Sequence, residues 1–174
     1  MPDGSLGTIP DELVTKFYTY PEPTPSGFEA AGYPLQTVAV APPGLIEVYP
    51  HPALVELANA AERLPYKAAK VRRYWPDCKP EERRAALYGQ WREIVRLLED
   101  EISGVALALP ELAAKASGAE VKSYEDMLDA IVCALIAICA LNGRAAPFAD
   151  QQSAIWIPAG GTASAGPIKS STTP

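Results

Sequence analysis

Ser123–Leu135, with the sequence SYEDMLDAIVCAL, decides the fold of this chain. An acidic turn leads into an apolar run, and from residue 127 to residue 141 the only charged side chain is Asp129. A helix that is apolar on nearly every side is predicted to lie in the core. Asp129 is therefore expected to be buried, and a buried carboxylate needs a cation, hydrogen-bond donors or a metal ion as its partner.

The ends of this helix are predicted from capping residues. Ser123 is a good N-cap and Asp126 follows three residues later, which resembles a capping box. Gly143 is a typical residue for the position after a helix. We therefore predict a helix over residues 124–142, with Asp126 and Asp129 on one face.

Two interpretations of these carboxylates remain open from the sequence. In the first, Asp126 caps the helix and a structural Arg or Lys holds Asp129. In the second, the pair forms a Mg²⁺ or Mn²⁺ site, because hard oxygen ligands suit ions that organise phosphoryl transfer.

A second informative stretch is residues 45–57, LIEVYPHPALVEL. Its alternation predicts a strand over Leu45–Tyr49 that presents Glu47 on one face and ends at Pro50, with a helix beginning near Pro52. His51 lies at this junction, where it can be a ligand, a general base or simply a residue of the helix start.

Four motifs occur in order: EVYPHPALVEL at 47–57, LPYK at 64–67, DMLDAIVCA at 126–134 and IWIP at 155–158. In this order they resemble the predicted RNase H-like nucleases grouped as domain of unknown function 429. The likeness runs from about residue 45 to residue 158. It implies an α/β fold of the RNase H-like type, of which this chain resembles the C-terminal portion, dominated by helices with a few short strands.

The resemblance also implies a site. Glu47, Asp126 and Asp129 are expected to be catalytic metal ligands, holding Mg²⁺ or Mn²⁺ for hydrolysis of nucleic-acid phosphodiesters. Family members normally carry a further acidic residue on a first strand, in a setting that residues 1–44 lack. We therefore expect a missing N-terminal half or a second copy of the chain to complete the site, and weak catalysis by this chain alone.

Charge is distributed unevenly along the chain. The formal net charge is −6, which argues against a protein that coats nucleic acid. Residues 63–96 nevertheless hold ten of the fifteen basic residues and four acidic ones, a local net charge of +6. Beside a metal site we expect Lys67, Arg72 and Arg73 to contact phosphates. The alternative is a solvated helix face.

The remaining segments complete the predicted α/β domain. An apolar stripe of Leu87, Trp91, Ile94, Val95, Leu98 and Ile102 predicts a core-facing helix over residues 80–103, with Pro80 in its first turn. A short helix within residues 66–75 is expected to end before Pro76. Strands are predicted at residues 37–40, 45–49 and 154–157, the first two forming a hairpin.

Composition sets the organisation. The chain has 174 residues and 48% hydrophobic content, enough for one core. We expect a Pro-rich, partly irregular segment over 1–36, the α/β region over 37–158 and a flexible tail over 159–174. Without a membrane-length apolar run or a visible signal peptide, the expected location is cytoplasmic. The alternative to a nuclease is a non-catalytic helical interaction module derived from the same family.

Overall fold

The computed structural model describes residues 25–149 and 153–159. Residues 1–24 of the predicted Pro-rich segment and residues 160–174 of the predicted tail lie outside the described residues. The described part is mixed α/β and mostly helical, as predicted. Its helices are α1 (Pro25–Ala30), α2 (Pro50–Leu57), α3 (Val71–Tyr74), α4 (Pro80–Glu101), α5 (Val105–Ala108) and α6 (Gly118–Leu141), with a 3-10 turn at Ala68–Lys70. Its strands are β1 (Glu47–Val48), β2 (Ala145–Ala149) and β3 (Ala154–Pro158).

Helix α6 is longer than predicted at its N-terminus. The Ser117 hydroxyl accepts the Glu120 N–H at 3.2 Å, and the Glu120 carboxylate accepts the Ser117 N–H at 2.7 Å. This capping box satisfies two backbone donors reciprocally, so the helix begins at Gly118 and the predicted start after Ser123 is wrong. The predicted end is confirmed, because the helix stops at Leu141 and Gly143 adopts a φ of 67°.

Helix α4 has the predicted position and orientation. Pro80 occupies its first turn, and Leu87, Trp91, Ile94 and Leu98 are buried. The Trp91 ring stacks on that of Tyr124 of α6, with centroids 5.0 Å apart. The apolar stripe of α4 therefore faces α6 across the core.

The small sheet has the order β1-β3-β2. Strands β1 and β3 are parallel, with Glu47 opposite Ile155, whereas β2 and β3 are antiparallel, with Pro147 opposite Trp156. Strand β2, AAPFA, was not predicted because Ala and Pro do not favour strands. Its position at the sheet edge tolerates Pro147, which cannot donate to a ladder.

The predicted hairpin between residues 37–40 and 45–49 is wrong. No strand forms at residues 37–40, and Leu35 instead makes an isolated parallel bridge to Leu45. The Gln36 side chain hydrogen-bonds both the N–H and the carbonyl of Ala41, the former at 2.8 Å. Leu45 donates its N–H to the Pro34 carbonyl at 2.9 Å and accepts the Gln36 N–H at 2.8 Å, so its backbone groups are paired with residues that precede the predicted first strand.

The core lies between α2, α4, α6 and β3. Leu54, Trp91, Ile94, Leu98, Leu128 and Ile136 are each 1% exposed or less. Within the described residues, no helix has the length and apolar character needed to cross a bilayer.

Candidate functional site

Three carboxylates on α6 form a compact group. Glu125, Asp126 and Asp129 each offer an oxygen, and these oxygens lie within 4.8 Å of one another. Their spacings of one, three and four residues bring them to neighbouring positions on one side of the helix. We call this group the carboxylate cluster. It contains the predicted Asp126 and Asp129, and adds Glu125, to which the sequence had assigned no role.

Glu125 is the most buried member of the carboxylate cluster. Its side chain is 7% exposed. One of its oxygens accepts the backbone N–H of Ala68 at 2.6 Å, and the other lies 3.5 Å from the Lys67 ammonium. A buried charge is tolerated only when it is paired and hydrogen-bonded, and both conditions are met here.

Asp129 is half-buried and has two partners from the same segment as Ala68. It accepts a hydrogen bond from the Tyr66 hydroxyl at 2.9 Å and forms an ion pair with Lys67. Burial and the neighbouring Asp129 carboxylate raise the pKa of Tyr66 far above its ordinary value, so the hydroxyl remains a donor. The predicted need for a partner is therefore met by a lysine and a tyrosine.

Asp126 differs from its two neighbours because it is exposed. It forms an ion pair with Lys122, one turn earlier, and this contact raises the pKa of Lys122. Helix α6 begins at Gly118, so Asp126 lies in the helix interior. The interpretation of Asp126 as a helix cap is therefore wrong.

Glu47, the third predicted ligand, is not a member of the carboxylate cluster. It lies exposed on β1, in register with Ile155. The structure thus brings together two of the three predicted ligands, with Glu125 as the third carboxylate. A metal-binding role for Glu47 stays a prediction.

His51 lies beside the tyrosine that contacts the carboxylate cluster. It is 4% exposed, and its Nδ1 has no hydrogen-bond partner among the described residues. Its ring lies against that of Tyr66, with centroids 4.9 Å apart. Burial, followed by the nearby positive charge of Lys67, lowers the pKa of His51. His51 is thus a neutral, buried residue in the first turn of α2.

The three predicted phosphate contacts have different surroundings. Lys67 is held by Glu125 and Asp129 and lies over the Tyr66 ring, 4.6 Å from its centroid. Arg72 and Arg73 are exposed on α3, which follows directly on the 3-10 turn. The two arginines are therefore accessible from the surface, whereas Lys67 is already paired with two carboxylates.

Some of these site residues were within reach of sequence reasoning. Tyr66 and Lys67 form the end of the LPYK motif, and Glu125 lies four residues before Asp129, on the same face. No sequence signal points to the N–H of Ala68, because its contact with Glu125 joins residues 57 positions apart.

The chain belongs to a family described as Protein of unknown function (DUF429), whose sequence model matches residues 29–154. The matched range contains β1, the LPYK motif and the whole carboxylate cluster. No curated protein and no solved structure matches the chain significantly. The resemblance proposed from the four motifs is therefore confirmed at the level of this family.

Proposed function

We propose that this member of the family is a metal-dependent, nuclease-like protein with an RNase H-like fold, which hydrolyses or binds nucleic-acid phosphodiesters. The observation that carries the proposal is the carboxylate cluster together with its attachment to residues 66–73, a basic segment that holds Lys67, Lys70, Arg72 and Arg73. Three contacts join the two: the Tyr66 hydroxyl and the Lys67 ammonium to Asp129, and the Ala68 N–H to Glu125. An acidic site and a cationic surface are thus held next to each other.

The donor set of the carboxylate cluster suits Mg²⁺ or Mn²⁺. Carboxylate oxygens are hard ligands, and three side chains offer them within 4.8 Å. The Lys67 ammonium, held by Glu125 and Asp129, shows that this position stabilises a positive charge. When bound, a divalent ion supplies an activated water and stabilises the leaving oxygen of a phosphodiester.

The chain's own residues have defined parts in this proposal. Glu125, Asp126 and Asp129 hold the ion, with Glu47 as a further proposed ligand. The Tyr66 hydroxyl positions Asp129 through its hydrogen bond. With an ion held by these carboxylates, Lys67 would be available to a phosphate, and the exposed Arg72 and Arg73 would neutralise flanking phosphates. Nucleic-acid affinity should then fall with added salt.

One observation favours a second function, that of a non-catalytic interaction module. All three carboxylates already have partners within the chain, namely Lys67, Lys122, the Tyr66 hydroxyl and the Ala68 N–H. In this second function, the network stabilises the packing of α6 against residues 66–68 and has no further role. In that case no metal ion is needed and no cleavage is expected.

Thermal melting with and without Mn²⁺ separates the two functions. Specific binding stabilises the folded state by about 2.7 kcal/mol when the free ion is at 100 times its dissociation constant. We expect the parent protein to melt at a higher temperature with Mn²⁺, and Asp129→Asn to lose this increment. Asp100→Asn is the matched control, because Asp100 is an exposed α4 carboxylate paired with Arg96.

Cleavage is then measured on single-stranded DNA, duplex DNA and RNA. The proposal predicts Mn²⁺-dependent hydrolysis of at least one substrate by the parent and by Asp100→Asn, and none by Asp129→Asn. An unchanged melting temperature with Mn²⁺, together with no cleavage of any substrate, would leave the interaction module as the function.

A further inference from the structure

A second charged site adjoins the basic segment, because Ala68 and Arg72 belong to its lining. A cleft of about 200 Å³ opens between α3, the first turns of α4 and the start of α6. Its charged lining residues are Arg72, Arg83 and Arg84, and its apolar walls include Leu87 and Val121. We infer that this arginine cleft binds a phosphate group.

Two of the arginines are fixed in place by neutral acceptors. Arg83 donates to the carbonyls of Trp75 at 2.8 Å and Pro76 at 2.6 Å. Arg84 donates to the carbonyl of Ala116 at 2.6 Å. These contacts orient the guanidinium groups without cancelling their charge. Because a guanidinium has five N–H donors, each keeps donors for a ligand.

The third arginine has an unengaged side chain. The Arg72 guanidinium is exposed and has no hydrogen bond or ion pair with any other described residue. It therefore offers its donors to a ligand beside the two arginines that are held by carbonyls. Arginine pairs with phosphate through two parallel hydrogen bonds, which makes it the preferred residue for this recognition.

Within the part of the chain that the structure describes, the lining of the arginine cleft contains no carboxylate. Farther along α4 the arrangement differs, because Arg96 is paired with both Glu93 and Asp100. Positive charges gathered in one cleft repel one another, and a bound anion relieves that repulsion.

The size of the cleft limits what it can take. Pockets for drug-sized ligands measure roughly 300–1,000 Å³. A cleft of about 200 Å³ is smaller and suits one phosphate group rather than a whole nucleotide. The phosphate can belong to a free anion or to one linkage of a nucleic-acid strand.

The position of the cleft connects it with the carboxylate cluster. Ala68 lines the cleft, and its backbone N–H is the donor to Glu125. A strand whose phosphate occupies the arginine cleft would therefore pass close to the carboxylates. In this respect the inference rests on the proposed function and deepens it, because it assigns Arg83 and Arg84 to the strand in addition to Arg72.

The test is a titration in EDTA at constant ionic strength, with inorganic phosphate in one arm and a short single-stranded oligothymidylate in the other. Binding is followed by heteronuclear NMR. We expect saturable shifts at residues lining the cleft. Arg72→Gln should weaken binding roughly tenfold, the cost of a lost charged hydrogen bond. Arg92→Gln is the matched control, an exposed α4 arginine outside the cleft lining, and should bind like the parent.

The outcomes separate the two proposals. Asp129→Asn should retain phosphate binding, so a failure of metal binding or cleavage leaves this inference intact. Saturation by phosphate alone assigns the cleft to a free anion, and saturation by both probes assigns it to a strand. Absence of saturation in the parent, or equal losses in Arg72→Gln and Arg92→Gln, would overturn the inference. Unchanged melting of Arg72→Gln without phosphate confirms that the variant is folded.

Discussion

The carboxylate cluster and the arginine cleft both adjoin Ala68, and they differ in how their charges are paired. In the carboxylate cluster, Lys67 and Lys122 pair with the acidic groups. In the arginine cleft, Arg83 and Arg84 donate to backbone carbonyls, which carry no net charge. Two ammonium groups offset two of the three negative charges of the carboxylate cluster, whereas no carboxylate among the described residues lines the arginine cleft.

This difference determines how each site would take a ligand. A cation entering the carboxylate cluster must displace an ammonium group, so its affinity is reduced by the free energy of the ion pairs that it breaks. An anion entering the arginine cleft breaks no ion pair among the described residues. We therefore expect a metal ion to bind by displacing an ammonium group, and a phosphate to bind without breaking an ion pair of the described residues. Experiments should distinguish these two behaviours.

The largest effect is expected at Glu125. Glu125→Ala removes the buried acceptor of the Ala68 N–H and one partner of Lys67. We expect the free energy of unfolding to fall by about 2 to 3 kcal/mol, measured by urea denaturation. Asp126→Ala is the control, because the exposed pair with Lys122 should contribute no more than about 1 kcal/mol. Equal losses in the two variants would show that burial does not distinguish these carboxylates.

The exchange behaviour is tested by removing the competing ammonium. Lys67→Met should bind Mn²⁺ roughly tenfold more tightly than the parent, because the ion no longer displaces a lysine from Glu125 and Asp129. Calorimetric titration measures the change. Lys122→Met should show a smaller gain, since its pair with Asp126 is exposed. A Lys67→Met protein that binds Mn²⁺ no better than the parent would contradict displacement.

A smaller effect is expected in the salt dependence of binding to single-stranded DNA. Arg72→Gln should reduce the slope of log affinity against log salt by about one, as expected for one lost phosphate contact. In the absence of metal, Lys67→Gln should leave the slope unchanged, because Lys67 is engaged by Glu125 and Asp129. An equal reduction in both variants would show that Lys67 already contacts phosphate without exchange.

The smallest effect concerns pH. The pKa of His51 is lowered from 6.5 by burial, then by Lys67, Arg63 and Lys70, against a smaller opposing effect of Asp129. Below pH 6.5 the unfolded chain takes up a proton that the folded protein does not. The free energy of unfolding should therefore fall as pH decreases from 6.5 to the lowered pKa, by at most about 1.4 kcal/mol per pH unit.

The control for this pH effect is His51→Phe, which retains an aromatic ring against Tyr66 and removes the titrating group. Its free energy of unfolding should depend less on pH over the same range, measured by urea denaturation at several pH values. Parallel profiles for the variant and the parent would show that His51 does not set the dependence.

The sequence predicted correctly those features whose signal lies within a single helix. The stripe on α4, its start at Pro80 and the end of α6 before Gly143 follow from spacing and capping alone. The error at the start of α6 was avoidable, because Ser117 and Glu120 form a readable capping box. Strand β2 could not be predicted from its own residues, because they have low strand propensity and the strand forms by pairing with β3.

The sequence by itself determined that α6 carries a carboxylate in need of a partner, because its periodicity buries nearly every face of the helix. It did not determine which carboxylate would be most buried or what would satisfy it. Tertiary structure decided both. Residues 66–68 approach α6 from about sixty positions away and bring a hydroxyl, an ammonium and a backbone N–H to Glu125 and Asp129. Contacts between such distant residues depend on how the helices pack, and periodicity within one helix carries no information about its neighbours.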